Sequence, residues 1–163
     1  MPSDQLLPPA AQRVQDALKS LSRSYVVQQL HHSTRTASDA ARAVGCQVAQ
    51  IAKSLVFRGR ISGRPVLVIA CGANRVSETH LAGLLGEEVV MADPDFVRQH
   101  TGFSIGGVPP VGLANRLAIF IDEDLLPFDV IWCAAGTPHA VFRMPPGDLA
   151  ALTGGQVVVL KAT

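Results

Sequence analysis

Cysteine is scarce in this chain and poorly placed for staples: Cys46, Cys71 and Cys133 are far apart and odd in number. None belongs to a C-x-x-C pair, which excludes a disulfide framework or a zinc ribbon. They read as small buried residues in a reducing compartment. Charge is also sparse, at 17% of 163 residues with a formal net charge of +1. A protein that coats long DNA needs many phosphate contacts, so that class is excluded, whereas a local patch gripping a few phosphates is not. Long apolar runs are missing: Pro65–Cys71 and Val130–Ala135 are far shorter than a membrane span, and no membrane partner is expected. The opening MPSDQLLPPA lacks the basic region and apolar core of a signal peptide, so a cytoplasmic location is expected. His31, His32, His80 and His100 share no spacing with cysteines or carboxylates, so neither a metal site nor a cofactor is expected.

What is present is a large apolar fraction, 48%, in a chain long enough for a substantial core. One domain spanning 1–163 is expected, with an N-terminal helix at about 10–23 marked by Val14, Leu18 and Leu21. Thr36 or Ser38 can cap a second helix that stops at Gly45. Ile51–Phe57 and Pro65–Cys71 read as a hairpin with a longer loop. Asn74 or Ser77 caps a helix through Leu81 and Leu85, and Asp93-Pro94 opens another. Apolar strands follow at Leu117–Ile121, Val130–Ala135 and Ala140–Met144, then a short helix at Leu149–Leu152 and a closing strand at Val157–Leu160. Strands and helices are mixed without regular β-α-β alternation. The pattern predicts an α+β fold on a mixed, barrel-like sheet surrounded by short helices.

Two stretches stand out. Thr101–Leu113 reads TGFSIGGVPPVGL, with Gly106, Gly107, Pro109, Pro110 and Gly112 in close succession. Glycine allows close backbone approach and proline fixes φ, so this is a shaped, stiff loop whose bare amides suit a polar ligand group. The second is Lys53. In a strand, Ile51, Lys53, Leu55 and Phe57 share one face, which puts a cation on the more apolar side. Two readings fit the residues: a lysine that snorkels out or pairs internally, or a cation held at a pocket edge to meet phosphate or a polarised carbonyl.

The segment Ile51-Ala52-Lys53-Ser54-Leu55-Val56-Phe57, the run Val66-Leu67-Val68-Ile69, the loop Gly106–Gly112 and Ala135-Gly136-Thr137 occur in an order that resembles the YbaK/ProX family. These are the free-standing relatives of the editing insertion domain of bacterial prolyl-tRNA synthetase. The similarity runs from about Ala37 to the end. It implies a compact α+β fold and hydrolysis of amino acids wrongly attached to tRNA. The partner implied is the acceptor end with its aminoacylated 3′ adenosine, and a synthetase is a further partner to consider. The family's lysine falls on Lys53, its Gly-x-x-x-Pro loop on Gly106 through Pro110, and its later pocket glycine on Gly136.

An aminoacyl ester is already reactive, so positioning and charge stabilisation beside a water suffice. The resemblance assigns Lys53 to the 3′-terminal phosphate or the ester, and the Gly106 or Gly107 N–H to the carbonyl oxygen. Ser54, Pro109, Pro110, Gly136, Thr137 and His139 are the expected substrate-binding residues. His139 is either a general base or hydroxyl-binding group, or simply a loop histidine. Thr137 either meets the substrate amine or shapes the turn before Pro138. Relatives that clear cysteine are expected to carry a serine and an aspartate where this chain has Ala134 and Val141. Those that clear alanine carry an asparagine where it has Ser54. A small substrate side chain, Ser, Thr or Ala rather than Cys, is therefore favoured. The alternative is an inactive module of the same fold that binds a nucleotide or a tRNA end. Asp122-Glu123-Asp124 reads as a solvated turn, Trp132 and Phe142 as core. Arg58, Arg60 and Arg64 read as solvated charge within reach of tRNA phosphates.

Overall fold

The structure, a computed structural model, describes residues 6–162. Its elements are α1 (Pro9–Ser20), β1 (Gln28–Gln29), α2 (Ala37–Val44), β2 (Ile51–Gly59), β3 (Pro65–Cys71), α3 (Glu78–Leu85) and β4 (Val89–Met91). They continue with α4 (Pro94–Thr101), β5 (Ala118–Asp122), β6 (Ile131–Ala134), β7 (Ala140–Met144), α5 (Leu149–Thr153) and β8 (Gln156–Val158). Eight strands form one mixed sheet in the order β1-β7-β6-β2-β3-β5-β8, with β4 joined to β2 as a branch. This is the α+β arrangement expected from the sequence.

Local signals account for most element ends. Thr36, Ser77 and Asp93 each accept a hydrogen bond from a first-turn amide, and Gly45, Gly86 and Gly102 close the same helices in left-handed conformations. The first helix stops three residues before the expected 23. Ser22 takes φ of 59°, and the amides of Leu21, Ser22 and Arg23 fold back onto carbonyls of the last turn.

The β2–β3 hairpin is the centre of the sheet, antiparallel from Ala52 opposite Cys71 to Arg58 opposite Pro65. Both faces of β3 are covered, which explains its unbroken apolar run. Leu67, Ile69 and Cys71 pack in one cluster with Val14 and Leu18 of α1, Val97 of α4 and Leu149 of α5. Val66, Val68 and Ala70 pack on the other side with Leu81 and Leu85 of α3. Each such Val, Leu or Ile contributes roughly 1.5–3 kcal/mol on burial. A third, small cluster joins Ala40 and Ala41 of α2 to Ile51 and Trp132.

One expectation needs correction. Asp122 is not in a solvated turn: it is 1% exposed, and its carboxylate accepts from the amides of Cys71 and Asp124 and from Asn74 Nδ2. The hairpin arginines are exposed, as expected, and make surface contacts. Arg60 pairs with Glu88, Arg64 lies beside Glu87 and donates to the Leu85 carbonyl, and Arg58 stands over the Phe96 ring.

The segment after α1 is tied down by polar contacts. Arg23 grips Asp148 with two bonds of 2.6 and 2.8 Å, and the Tyr25 hydroxyl donates to the same carboxylate at 2.7 Å. The Arg23 bond holds the Asp148 carboxyl below its usual range. A depressed carboxylate stabilises the fold above its unfolded pKa and loses that contribution as pH falls through the folded value. Melting of the wild type should therefore drop on acidification below about pH 4. Asp148→Asn should melt a few degrees lower at neutral pH and lose part of that acid sensitivity, as thermal unfolding at a series of pH values would show.

Candidate active site

The cavity that gathers the chemistry lies where the sheet forks. One edge of β2 is fully paired with β3. The other is shared: β6 runs parallel to Ile51 and Ala52, and β4 runs antiparallel to Phe57, Arg58 and Gly59. No strand pairs with Lys53, Ser54 or Leu55 on that side. The Val56 carbonyl faces the same edge, where it accepts from the Ala92 amide at 3.0 Å, so strand alternation turns the Ser54 main chain toward the gap. A cavity of about 240 Å³ opens there. Its walls are Ile51–Leu55 of β2, Thr34–Ala37 with Ala40 at the start of α2, Ile105, Gly106 and Val108 of the Gly/Pro loop, and Trp132–Ala134 with Val141 across the β6–β7 pair.

Lys53 occupies the face predicted for it, between the cluster around Ile51 and the one around Phe57. Its Nζ donates to the Asn74 carbonyl at 2.7 Å and, more weakly, to the Gly72 carbonyl at 3.4 Å, both in the turn after β3. Among the described residues no carboxylate forms a salt bridge with it. Burial pushes its pKa below the usual lysine range, with Cys71 and Asp122 acting in the opposite direction. An ammonium has three donors, so two carbonyls leave one for a ligand.

Gly106 lines the same cavity with φ of 88°, a conformation that favours glycine. The Arg35 side chain lies over it: a β-carbon on Gly106 would stand 2.9 Å from Arg35 Cγ. The Gly107 amide is already committed to the Ser104 carbonyl, whereas those of the cavity-lining Ile105, Gly106 and Val108 have no main-chain partner among the described residues.

The remaining predicted residues sit behind the walls. The Gly107 carbonyl accepts from the Gly136 amide at 2.8 Å, and a β-carbon on Gly107 would meet the Gly136 and Thr137 backbone at 2.8 Å. Gly136, at φ of 97°, in turn lies against the Ala10 backbone. Pro109 and Pro110 are buried, and Pro110 faces a separate cleft with Leu21 and Leu152. Thr137 Oγ1 accepts from the His139 amide, the His139 carbonyl accepts from Leu30, and the Pro138 carbonyl accepts from both Thr34 N and Oγ1. Lys53, Ser54 and Gly106 thus meet at the cavity. Gly107, Gly136, Thr137 and His139 brace the segments that enclose it and do not line it.

Sequence reasoning missed several wall residues. Thr34, Arg35 and Thr36 precede the stretch where the family motifs begin, and Trp132 lines the cavity instead of lying in the core. A lone tryptophan two residues before Ala134, itself one of the positions thought to vary with substrate, was the available signal. Ser54 has a further property: its Oγ is buried with no hydrogen-bond partner. Buried hydroxyls usually find one. Cys133, also in the wall, is an inert thiol, because burial pushes its pKa up to about 12. Among the described residues, no group of three His, Cys, Asp or Glu side chains is placed to hold a metal ion, and no helix is long and apolar enough to cross a membrane.

A cavity lined by both a lysine and a glycine of a stiff loop is a class of site suited to ester hydrolysis by charge stabilisation. The family model for the aminoacyl-tRNA editing domain matches residues 31–152, and the chain belongs to that family of hydrolases acting on mischarged aminoacyl-tRNA. A crystal structure described as a candidate trans-editing enzyme for prolyl tRNA synthetase superposes with a TM-score of 0.91 at 47% identity, covering 97% of this chain and 100% of that one. YwhH of Bacillus subtilis, an uncharacterised protein, is 29% identical over 136 residues, 83% of this chain and 86% of its own. EbsC of Enterococcus faecalis, named as a candidate Cys-tRNA(Pro)/Cys-tRNA(Cys) deacylase, is 26% identical over 74% of each chain. The proline–tRNA ligase of Limosilactobacillus fermentum is 34% identical over 94 residues, which is 55% of this chain and 16% of the ligase. The order of motifs that resembled the YbaK/ProX group is thus matched by the family itself.

The Gly107–Gly136 joint gives a direct test of how the wall is held. Gly107→Ala must push apart two backbones, at a cost of roughly 1–3 kcal/mol. Melting should fall by several degrees. Deacylation should drop further than the unfolded fraction accounts for, because Gly106 moves with the loop. Calorimetry and deacylation rates on the same sample measure both.

Proposed function

We propose that this chain is a trans-acting deacylase that clears a small amino acid, Ser, Thr or Ala in preference to Cys, from mischarged tRNA in the cavity at the fork of the sheet. The observation that carries the reading is that Lys53 and Gly106, half a chain apart in sequence, line one cavity. A volume of about 240 Å³ lies below the range usual for drug-sized ligands, which suits enclosure of the amino acid and its ester while the nucleotide lies across the mouth. Arg35 and Trp132 stand at this cavity as groups to meet phosphate and base.

In the reaction, water attacks the ester carbonyl, and negative charge develops on the carbonyl oxygen. The Gly106 amide and the Lys53 ammonium stabilise that charge. The C–O bond to the ribose then breaks, the leaving oxygen takes the proton, and the free amino acid departs. The neighbouring ribose hydroxyl orients the water. No side-chain nucleophile is needed, consistent with the inert state of Cys133 and the lack of a nearby base at Ser54. Gly107, Pro109, Pro110, Gly136, Thr137 and His139 act by shaping the walls.

Substrate preference follows from what lines the cavity. Ala134 and Val141 are apolar and carry none of the polar groups expected in relatives that clear cysteine. Ser54 lines the cavity, and its buried hydroxyl, without a partner among the described residues, can turn to meet a hydroxyl or an amine on the substrate. A panel of Ser-, Thr-, Ala- and Cys-tRNA tests the reading. Lys53→Ala should lower deacylation by about 10²–10³-fold, the usual effect of removing one charge-stabilising donor. Ser54→Ala should cost about tenfold on Ser- or Thr-tRNA and less on Ala-tRNA, the effect of one hydrogen bond. Tight binding of every charged tRNA with no turnover would instead make the chain a binding module. Turnover of simple esters without tRNA would assign it to another hydrolase class.

A further inference from the structure

The Lys53 ammonium is anchored by a turn whose own residues do not line the cavity, and that turn is itself held by an unusual polar cluster. Asn74, which offers its carbonyl to Lys53, is buried and uses its side chain in the other direction. Its Nδ2 donates to Asp122 Oδ2 at 3.0 Å and to Asp124 Oδ2 at 2.7 Å. Asp122 Oδ2 also accepts from the Cys71 amide at 3.0 Å, and its Oδ1 accepts from the Asp124 amide at 3.0 Å. The turn is closed by Asn74 N–H to the Cys71 carbonyl and by Gly72 N–H to the Ile51 carbonyl. One carboxamide therefore bridges two carboxylates at the end of β5 to the carbonyl that receives the lysine. Two neighbouring acids sharing a donor are costly as structure alone. They are explained if their joint task is to fix one turn and face one cation.

We propose that Asn74, clamped by Asp122 and Asp124, is the positioning residue that aims Lys53 into the cavity. The inference rests on the reading of Lys53 as the catalytic cation. It adds that the aim of this cation is set from outside the cavity, by the end of β5. The charged or titratable groups around Lys53 are Cys71 on β3, Asp122 and Asp124 at the end of β5, and Arg35 across the cavity. Asp122 favours the protonated amine, whereas burial opposes it.

Three variants test the clamp, all in the full chain. Asn74→Ala should lower kcat about 10²-fold with little change in KM, the scale expected when a reacting group is displaced by about 1 Å. Asp124→Ala removes one of the two bonds at a partly exposed position and should cost roughly tenfold in kcat by a smaller displacement. Asp122→Asn keeps the shape but removes the charge, and it should shift the Lys53 titration, followed through its side-chain carbon resonances, to lower pH. That titration needs no activity, so it separates failure of the clamp from failure of the deacylase reading. If Asn74→Ala does not fold, Asp124→Ala and the titration carry the test. Activity losses that merely follow the unfolded fraction, or a Lys53 titration unchanged in Asp122→Asn, would overturn the proposal.

Discussion

A strand has two edges, and the way β2 divides one of them determines the site. With β3 occupying the full length of one side, β6 and β4 take opposite ends of the other and leave the middle unpaired. An open stretch of strand in a buried sheet exposes main-chain donors and acceptors that want partners. Here the opening is roofed by α2 on one side and the Gly/Pro loop on the other, so it becomes a closed-in cavity and not an aggregation-prone edge. The unpartnered Ser54 hydroxyl and the half-buried Lys53 amine lie in that same stretch. Their placement follows from the fork.

The energetic tension is concentrated at Lys53. Burial disfavours its charge, Cys71 and Asp122 act against that, and among the described residues no carboxylate forms an ion pair with it. Two carbonyls hold it, and those carbonyls are held by Asn74, Asp122 and Asp124. A lysine on a strand surface would need none of this. The loop side is fixed by a different device: the missing side chain of Gly107 lets the loop touch the β6–β7 turn backbone to backbone, and that of Gly136 lets α1 do the same. One wall is thus set by hydrogen bonds to a cation and the other by close packing of bare main chain. Both are rigid, as a site that works by placement requires.

Much of this was legible in the residues. Periodicity and caps identified nearly every element, because Thr36, Ser77, Asp93 and the glycines that follow those helices act locally. The alternation in Ile51–Phe57 correctly placed Lys53 on an apolar face. What was not legible depends on contacts distant in sequence. Asp122 looks like a turn residue because acids in short runs usually are. It is buried because Cys71 and Asn74, some fifty positions earlier, converge on it. Trp132 looks like core because strand tryptophans usually are, yet the sheet opens beside it. Likewise Gly107 was expected at the substrate carbonyl and Gly136 in the pocket, and the two instead meet behind the wall.

The most direct test is a crystal structure with a non-hydrolysable 3′-amide analogue of seryl-adenosine. The account predicts that the analogue's carbonyl oxygen lies about 3 Å from both Gly106 N and Lys53 Nζ, with the seryl side chain beside Ser54. An analogue seated elsewhere, with the gap in β2 empty and its carbonyl oxygen out of hydrogen-bond reach of Lys53 Nζ, would contradict it.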